Sequence, residues 1–418
     1  MSFSSFALSP ELLEATLKQG YTIPTPVQQQ AIPRILAGKD LIAIAQTGTG
    51  KTAAFTLPML QNLLSSDRIH PKAPRALILT PTRELALQVF QAVQVYGKDT
   101  GITALVLHGG VSYDPQLEKI QAGVDVIVAT PGRLRDHMHQ KNVRLADVEL
   151  LVLDEADRML DMGFAEDVDF IISRCGKQRQ TLLFSATFSD EVRKLSQKYL
   201  RRPESIEVTP QKMTAQGVVH TIHPVDPGRK LDLLFEVVHK HLQEQILVFA
   251  RTKDRVDEVA KDLESRGLVV MATHGDRTQA HRTKAMARFK EGKIQILVAT
   301  DIAARGIDTS DLGLVINYEL PNLAEDYVHR IGRTGRAGKS GLAVSLVTSG
   351  ELRLLSAIEK LIKIKIPVVK FEGFVPKDFD QAKARLAPPK APRSPASGKP
   401  GSRIRNKFKA KPHRAKGR

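Results

Sequence analysis

The chain has 418 residues, 42% hydrophobic and 26% charged, enough to bury two sizeable cores. Its single cysteine, Cys175, excludes an internal disulfide framework and a cysteine-based zinc cluster. No apolar run reaches the ~18 residues of a membrane span, and the opening MSFSSFALSP lacks the basic-then-apolar layout of a secretory signal. The expectation is a soluble, cytoplasmic protein without membrane association.

In chain order, short apolar runs alternate with helix-like segments. DLIAIA (40–45), RALILT (75–80), VDVIVAT (124–130), VELLVL (148–153) and TLLFSAT (181–187) come first. A polar stretch at 209–217 interrupts the rhythm, which resumes with QILVFA (245–250), IQILVAT (294–300), GLVINYE (313–319) and GLAVSLV (341–347). Continuous apolar strands alternating with helices predict parallel sheets covered on both faces. Two sets predict two tandem α/β domains, at 1–208 and 218–372, joined by a hinge at 209–217. Ligands of such sheets gather beyond the carboxyl ends of the strands.

The remaining segment, 373–418, is of another kind. From Lys377 to Arg418 it carries 14 Lys and Arg against Asp378 and Asp380, contributing +12 of the net +17. Pro, Ser, Gly and Ala dominate it, so the composition predicts a disordered basic tail attracted to a polyanion. A merely solubilising tail is the alternative.

Directly after DLIAIA comes AQTGTGKT (45–52). It follows the phosphate-binding pattern G-x-x-x-x-G-K-[ST] with Ala45 in the first glycine position. Gly48 and Gly50 let backbone N–H groups wrap phosphates at a helix N-terminus. Lys51 can reach the β- and γ-phosphates, and the Thr52 hydroxyl can bind magnesium. A plain strand-to-helix turn would not need the Lys-Thr pair. The second signal is Asp154, Glu155 and Asp157, where an apolar strand ends in acids. Helix capping alone would account for acids there. Beside a phosphate loop, Asp154 is instead expected to hold magnesium, through water, and Glu155 to orient and deprotonate an attacking water.

Further motifs follow in order: GYTIPTPVQ (20–28), AQTGTGKT, PTRELA (81–86), GG (109–110), TPGR (130–133), DEAD (154–157) and SAT (185–187). VFARTK (248–253), HGDRTQAHR (274–282), ATDIAARGID (299–308) and HRIGRTGR (329–336) continue them. Through these motifs the chain, from about residue 6 to 370, resembles the DEAD-box RNA helicases, most closely their bacterial RhlE-like branch. Ala45 agrees with that family. The resemblance implies two RecA-like domains and an ATP- and magnesium-dependent, RNA-stimulated ATPase. Gln28 resembles the residue that reads the adenine edge, Tyr21 one that stacks on the ring, and Thr25 one that braces the phosphate loop. Gln46, Thr47, Gly48, Thr49, Gly50, Lys51 and Thr52 would surround the phosphates, and Asp308 would contact the ribose.

Ser185 and Thr187 resemble the link between hydrolysis and movement, bonding near Asp157. Arg333 and Arg336 resemble arginine fingers; with Arg330 their spacing of three would share one side if the segment were helical. RNA contacts would come from Thr82, Arg83, Gly110, Thr130, Gly132 and Arg133 on the first domain. Arg251, Gly275, Gln279, Arg282 and Thr300 would continue them on the second. With no tryptophan and 5% aromatics, no stacking platform for successive bases is evident, so binding should be sequence-independent, through the backbone and 2′-hydroxyls. The expected function is local unwinding of short RNA duplexes or remodelling of ribonucleoprotein by a monomer, with ribosome-assembly or RNA-decay proteins as partners. An ATP-gated RNA clamp is the alternative, and a DNA translocase a weaker one.

Overall fold

The structure, a computed structural model, describes residues 2–45, 48–66, 70, 72–208, 218–304, 312–335, 341–374, 376 and 379. The expected hinge at 209–217 and nearly all of the expected tail lie outside them, as do Gln46, Thr47, Asp308 and Arg336.

Among the described residues there are two parallel sheets. The first contains β1 (Leu41–Ala45), β2 (Ala76–Leu79), β3 (Ala104–Leu107), β4 (Val126–Ala129), β5 (Leu150–Leu153), β6 (Gln180–Ser185) and β7 (Glu204–Val208), in the order β3-β4-β2-β5-β6-β1-β7. The second contains β8 (Val218–Pro224), β9 (Ile246–Phe249), β10 (Val270–Thr273), β11 (Ile296–Ala299), β12 (Leu314–Asn317) and β13 (Gly341–Val347), in the order β10-β11-β9-β12-β13-β8. Each fits the RecA-like architecture that the sequence leads one to expect.

The strands form where the chain offers short apolar runs that can be buried on both faces. ALIL, VIVA and LLVL of β2, β4 and β5 are buried throughout. Their alternate residues serve opposite cores. Ile78, Val128, Val152 and Leu182 join Phe55 and Met59 of the helix Lys51–Leu64 on one face, while Leu77, Ile127, Leu151 and Leu183 meet Val168 and Ile171 of the helix Ala165–Ile172 on the other. In the second sheet, Val248, Val298 and Ile316 face one core and Leu247, Leu297 and Val315 the other. Truncating any of these to alanine would cost about 2–5 kcal/mol, so the strand ends are held firmly. This rigidity positions the loops beyond them.

Candidate active site

β5, β6 and β1 lie side by side, with Leu153 in register with Leu183 and Ile44 with Ser185. The acids after β5, the Ser-Ala-Thr segment ending β6 and the loop after β1 therefore open at one carboxyl edge. At the loop, Gly48 and Gly50 adopt φ of 77° and 90°, backbone that side chains other than glycine strongly disfavour. Gly50 is also the residue before the helix Lys51–Leu64. A Cβ on it would sit 2.6 Å from Gln28 Nε2 and 3.1 Å from Thr25 Oγ1. Thr25 and Gln28 thus press against the phosphate loop.

Gln28 is buried, its Oε1 accepting from Thr25 N (2.8 Å) and its Nε2 donating to Gly50 O (3.1 Å). The amide expected to read adenine thereby ties the helix Pro26–Leu36 to the loop, and one Nε2 proton remains for another acceptor. Tyr21 stands half exposed, its ring 6.2 Å from the buried Phe3 in a stacked pose and its hydroxyl 3.1 Å from that of Tyr96. Phe3 was not singled out by the sequence; only its place upstream of Tyr21 hints at the pairing.

Lys51 is buried and donates through Nζ, at 2.9 Å, to the carbonyl oxygen of Ala45, the last residue of β1. Asp154 is 2% exposed, and burial pushes its carboxyl up to about 7 against the opposing pull of Lys51, with Glu155 adding repulsion. A carboxylate so poorly solvated is stabilised by any cation that reaches it. Glu155 holds left-handed backbone, φ 51° and ψ 53°, uncommon and strained for a residue with a Cβ. Its N–H donates to Asp154 Oδ1 at 3.0 Å, turning the chain sharply between the two acids. Asp157 Oδ2 accepts from Ala186 N, Thr187 N and Thr187 Oγ1 at 3.1, 2.9 and 2.9 Å. Thr187 is thus bonded to Asp157 through both its backbone and its hydroxyl. Ser185 Oγ stands 3.4 Å from Asp157 N, a weak contact.

From the second sheet, the helix Ala324–Ile331 ends two residues before Arg333. The one-sided placement of Arg330 and Arg333 expected of a helix therefore does not apply. Arg330 is 1% exposed and pairs with both oxygens of Asp301 (2.6 and 2.7 Å), with Asn317 Oδ1 and with Glu319 O. It is a core residue. Arg333 lies in the following turn, buried, beside a narrow space shared with Arg158, Asp301 and His329. Arg158, directly after the DEAD sequence, reaches across to Asp326 Oδ1 at 3.0 and 3.1 Å and to His329 Nδ1 at 3.2 Å. Sequence reasoning missed it, since nothing in the sequence places Asp326 opposite.

The expected RNA residues also sit at carboxyl edges. Thr82, after β2, caps the helix Arg83–Tyr96 by accepting from Leu85 N. Arg83 lies so close to Gly110 that a Cβ there would collide with its guanidinium. Thr130 precedes the helix Pro131–His139, which contains Gly132 and Arg133. On the second sheet, Arg251 follows β9 and pairs with Glu319 at 3.2 Å, Gly275 follows β10 against Lys253, and Thr300 follows β11.

The structure brings the two sets together: Arg83 Nη1 stands 3.4 Å from Gln279 Oε1, Gln279 Nε2 3.3 Å from Glu84 Oε1, and Arg282 Nη2 2.7 Å from Glu84 Oε1. Burial, Arg282 and Arg133 all push the Arg83 guanidinium down from its usual range. Clustered guanidinium groups of this kind favour a polyanion.

Comparison with known proteins agrees. A DEAD/DEAH box helicase family matches residues 25–195, and the helicase conserved C-terminal domain matches residues 229–338. The DEAD-box ATP-dependent RNA helicase CshA of Bacillus subtilis is 42% identical over 372 residues, 88% of this chain and 74% of its own. The ATP-dependent RNA helicase CshA of Listeria monocytogenes is 43% identical over 86% of this chain and 69% of its own. Among solved structures, S. cerevisiae Dbp5 bound to RNA and ADP BeF3 superposes with a TM-score of 0.80 at 33% identity, covering 92% of this chain and 98% of that one. Both halves of the fold, their order and this level of identity agree: the chain belongs to the DEAD-box ATP-dependent RNA helicases, enzymes that use ATP.

Proposed function

We propose that the protein binds ATP at the β1–β5–β6 edge, hydrolyses it to ADP and phosphate when RNA bridges the two sheets, and so separates short RNA duplexes or remodels ribonucleoprotein. The observation that supports this most is Asp154. A buried carboxyl with its pKa near 7, separated by only β6 from the strand that leads into the phosphate loop, is arranged for a cation that arrives with phosphates. Asp154 and the Thr52 hydroxyl are hard oxygen donors that suit magnesium, and they would hold it. When bound, magnesium neutralises the charge developing on the phosphates.

In this reading Lys51 leaves Ala45 O for the phosphates, and the neighbouring loop residues Gln46, Thr47, Gly48, Thr49 and Gly50 surround them. Glu155 takes the proton of the attacking water. Arg333, with Arg336, supplies positive charge from the second sheet, so hydrolysis waits for closure. Asp308 contacts the ribose, and Tyr21 and Gln28 the adenine. Thr187 and Ser185, tied to Asp157, carry the change towards the RNA side. Thr82, Arg83, Gly110, Thr130, Gly132 and Arg133 face one end of the RNA backbone; Arg251, Gly275, Gln279, Arg282 and Thr300 face the other.

Residues 209–217 serve as the hinge between domains 1–208 and 218–372, and the basic segment 373–418 raises the local RNA concentration. A cytoplasmic monomer working on ribosome assembly or RNA decay completes the reading. Placement in the RhlE-like branch rests on motif resemblance, since the relatives described above are CshA proteins. The cross-sheet bonds of Glu84 and Arg158 also favour a second reading, an ATP-gated clamp that holds RNA and whose function needs no turnover.

Strand separation tests the proposal. A short RNA duplex with a labelled strand should come apart in ATP and magnesium, and not with ATP withheld. Stable duplex under both conditions, with RNA still held in ATP, would leave only the clamp.

A further inference from the structure

Arg133 and His137 lie one turn apart on the same face of the helix Pro131–His139. Tyr113, the residue before the helix Asp114–Ala122, lays its ring over that face. The ring stacks on His137 with centroids 4.1 Å apart and planes 17° from parallel. The Arg133 guanidinium lies 5.5 Å from the centroid of the same ring. Asn142 fixes the far edge: its Nδ2 donates to the Tyr113 hydroxyl at 2.8 Å and stands 3.5 Å from His137 Nδ1.

Arg133 is further tied to the Tyr113 segment, Nη2 donating to Val111 O at 3.3 Å, while its Nη1 is buried without an acceptor. Arg83 packs against Gly110 in the same segment, and the charge of Arg133 is felt at Arg83.

We infer that Tyr113 is a positioning residue for RNA: stacked on His137 and tethered by Asn142, it holds the Arg133 guanidinium in one orientation for the phosphates of the strand. The inference rests on the proposed RNA role of Arg133 and gives it a mechanism. An arginine free to rotate would lose side-chain entropy on binding phosphate; one held against a ring has already lost much of it. His137 is suited to the stack because burial and the neighbouring Arg133 push its pKa down to about 4. It therefore stays neutral and does not repel the guanidinium.

The test is a cycle of full-length variants, Tyr113→Ala, Arg133→Ala and both together, read as RNA-stimulated ATPase against the concentration of a single-stranded RNA. Tyr113→Ala should raise the RNA concentration for half-maximal rate by roughly threefold to tenfold, with kcat at saturating RNA and the KM for ATP unchanged. Tyr113→Phe, which keeps the ring, should recover most of the loss. The double variant should bind RNA no more weakly than Arg133→Ala alone, because Tyr113 acts through that arginine.

Additive losses would overturn the inference by showing that Tyr113 meets RNA by itself, and so would an unchanged RNA requirement in Tyr113→Ala while Arg133→Ala weakens binding. Unchanged binding in Arg133→Ala would instead remove Arg133 from the RNA track, and the positioning role with it.

Discussion

Arg282 and Glu84 form an ion pair of 2.7 Å between the two sheets, with side chains only 8% and 12% exposed. Gln279 donates to the same Glu84 oxygen at 3.3 Å. Each residue lies at the first turn of a helix that follows a strand of its own sheet. The pair can exist only while the sheets are together, so it belongs to the closed arrangement.

Removing one member of a buried pair leaves the other charge uncompensated and commonly costs about 3–5 kcal/mol. Glu84→Ala should therefore disfavour closure and cut duplex unwinding by roughly tenfold or more, with ATP affinity held. Unwinding within about twofold of the parent in Glu84→Ala would show that the pair does not govern closure.

On the ATP side, Arg158 donates to Asp326 at 3.0 Å. A double-mutant cycle of Arg158→Ala and Asp326→Ala, read as RNA affinity with a non-hydrolysable ATP analogue, should show a coupling of about 0.5–3 kcal/mol. Simple additivity would assign the contact no part in closure.

Glu155→Gln separates binding from chemistry. Asp154 remains, so nucleotide should still bind, while loss of the base should lower turnover by about a hundredfold or more. The variant should also hold RNA longer in ATP, as a labelled-RNA dissociation assay will show. Turnover close to that of the parent would take Glu155 out of the reaction.

His137 gives a pH prediction with a definite sign. Its folded pKa of about 4 lies below the ordinary 6.5, so the unfolded chain takes up the proton first. Its contribution to stability is complete above about 6.5 and lost as pH falls towards about 4. Relative to His137→Leu, the parent should lose stability to urea across that interval. A difference that is flat with pH would mean that His137 is not held neutral.

Much of this architecture was legible in the sequence because its signals are local. RALILT and IQILVAT read as buried strands because they are short, apolar and alternate with helix-like segments, and AQTGTGKT next to a strand places Lys51 and Gly50 at a carboxyl edge. β7 and β8 were harder: ESIEV and VVHTIHP mix polar with apolar residues, because each strand lies at the edge of its sheet. Long-range pairings were beyond the sequence. Arg158 and Asp326 are 168 residues apart, and no periodicity relates them. Arg330 and Arg333 look alike as letters, yet burial against Asp301 makes the first structural. The strand read through Thr187 stops at Ser185, because Ala186 and Thr187 turn to satisfy Asp157.

The central claim is that RNA completes an ATPase divided between two sheets. Steady-state ATP turnover by the full chain should therefore be measured with single-stranded RNA, with DNA of the same sequence, and with no polymer. The account predicts that RNA raises turnover by roughly tenfold or more, that DNA lacking 2′-hydroxyls does not, and that Arg333→Ala abolishes the RNA-stimulated part. Equal turnover in all three conditions, or equal stimulation by DNA, would contradict it.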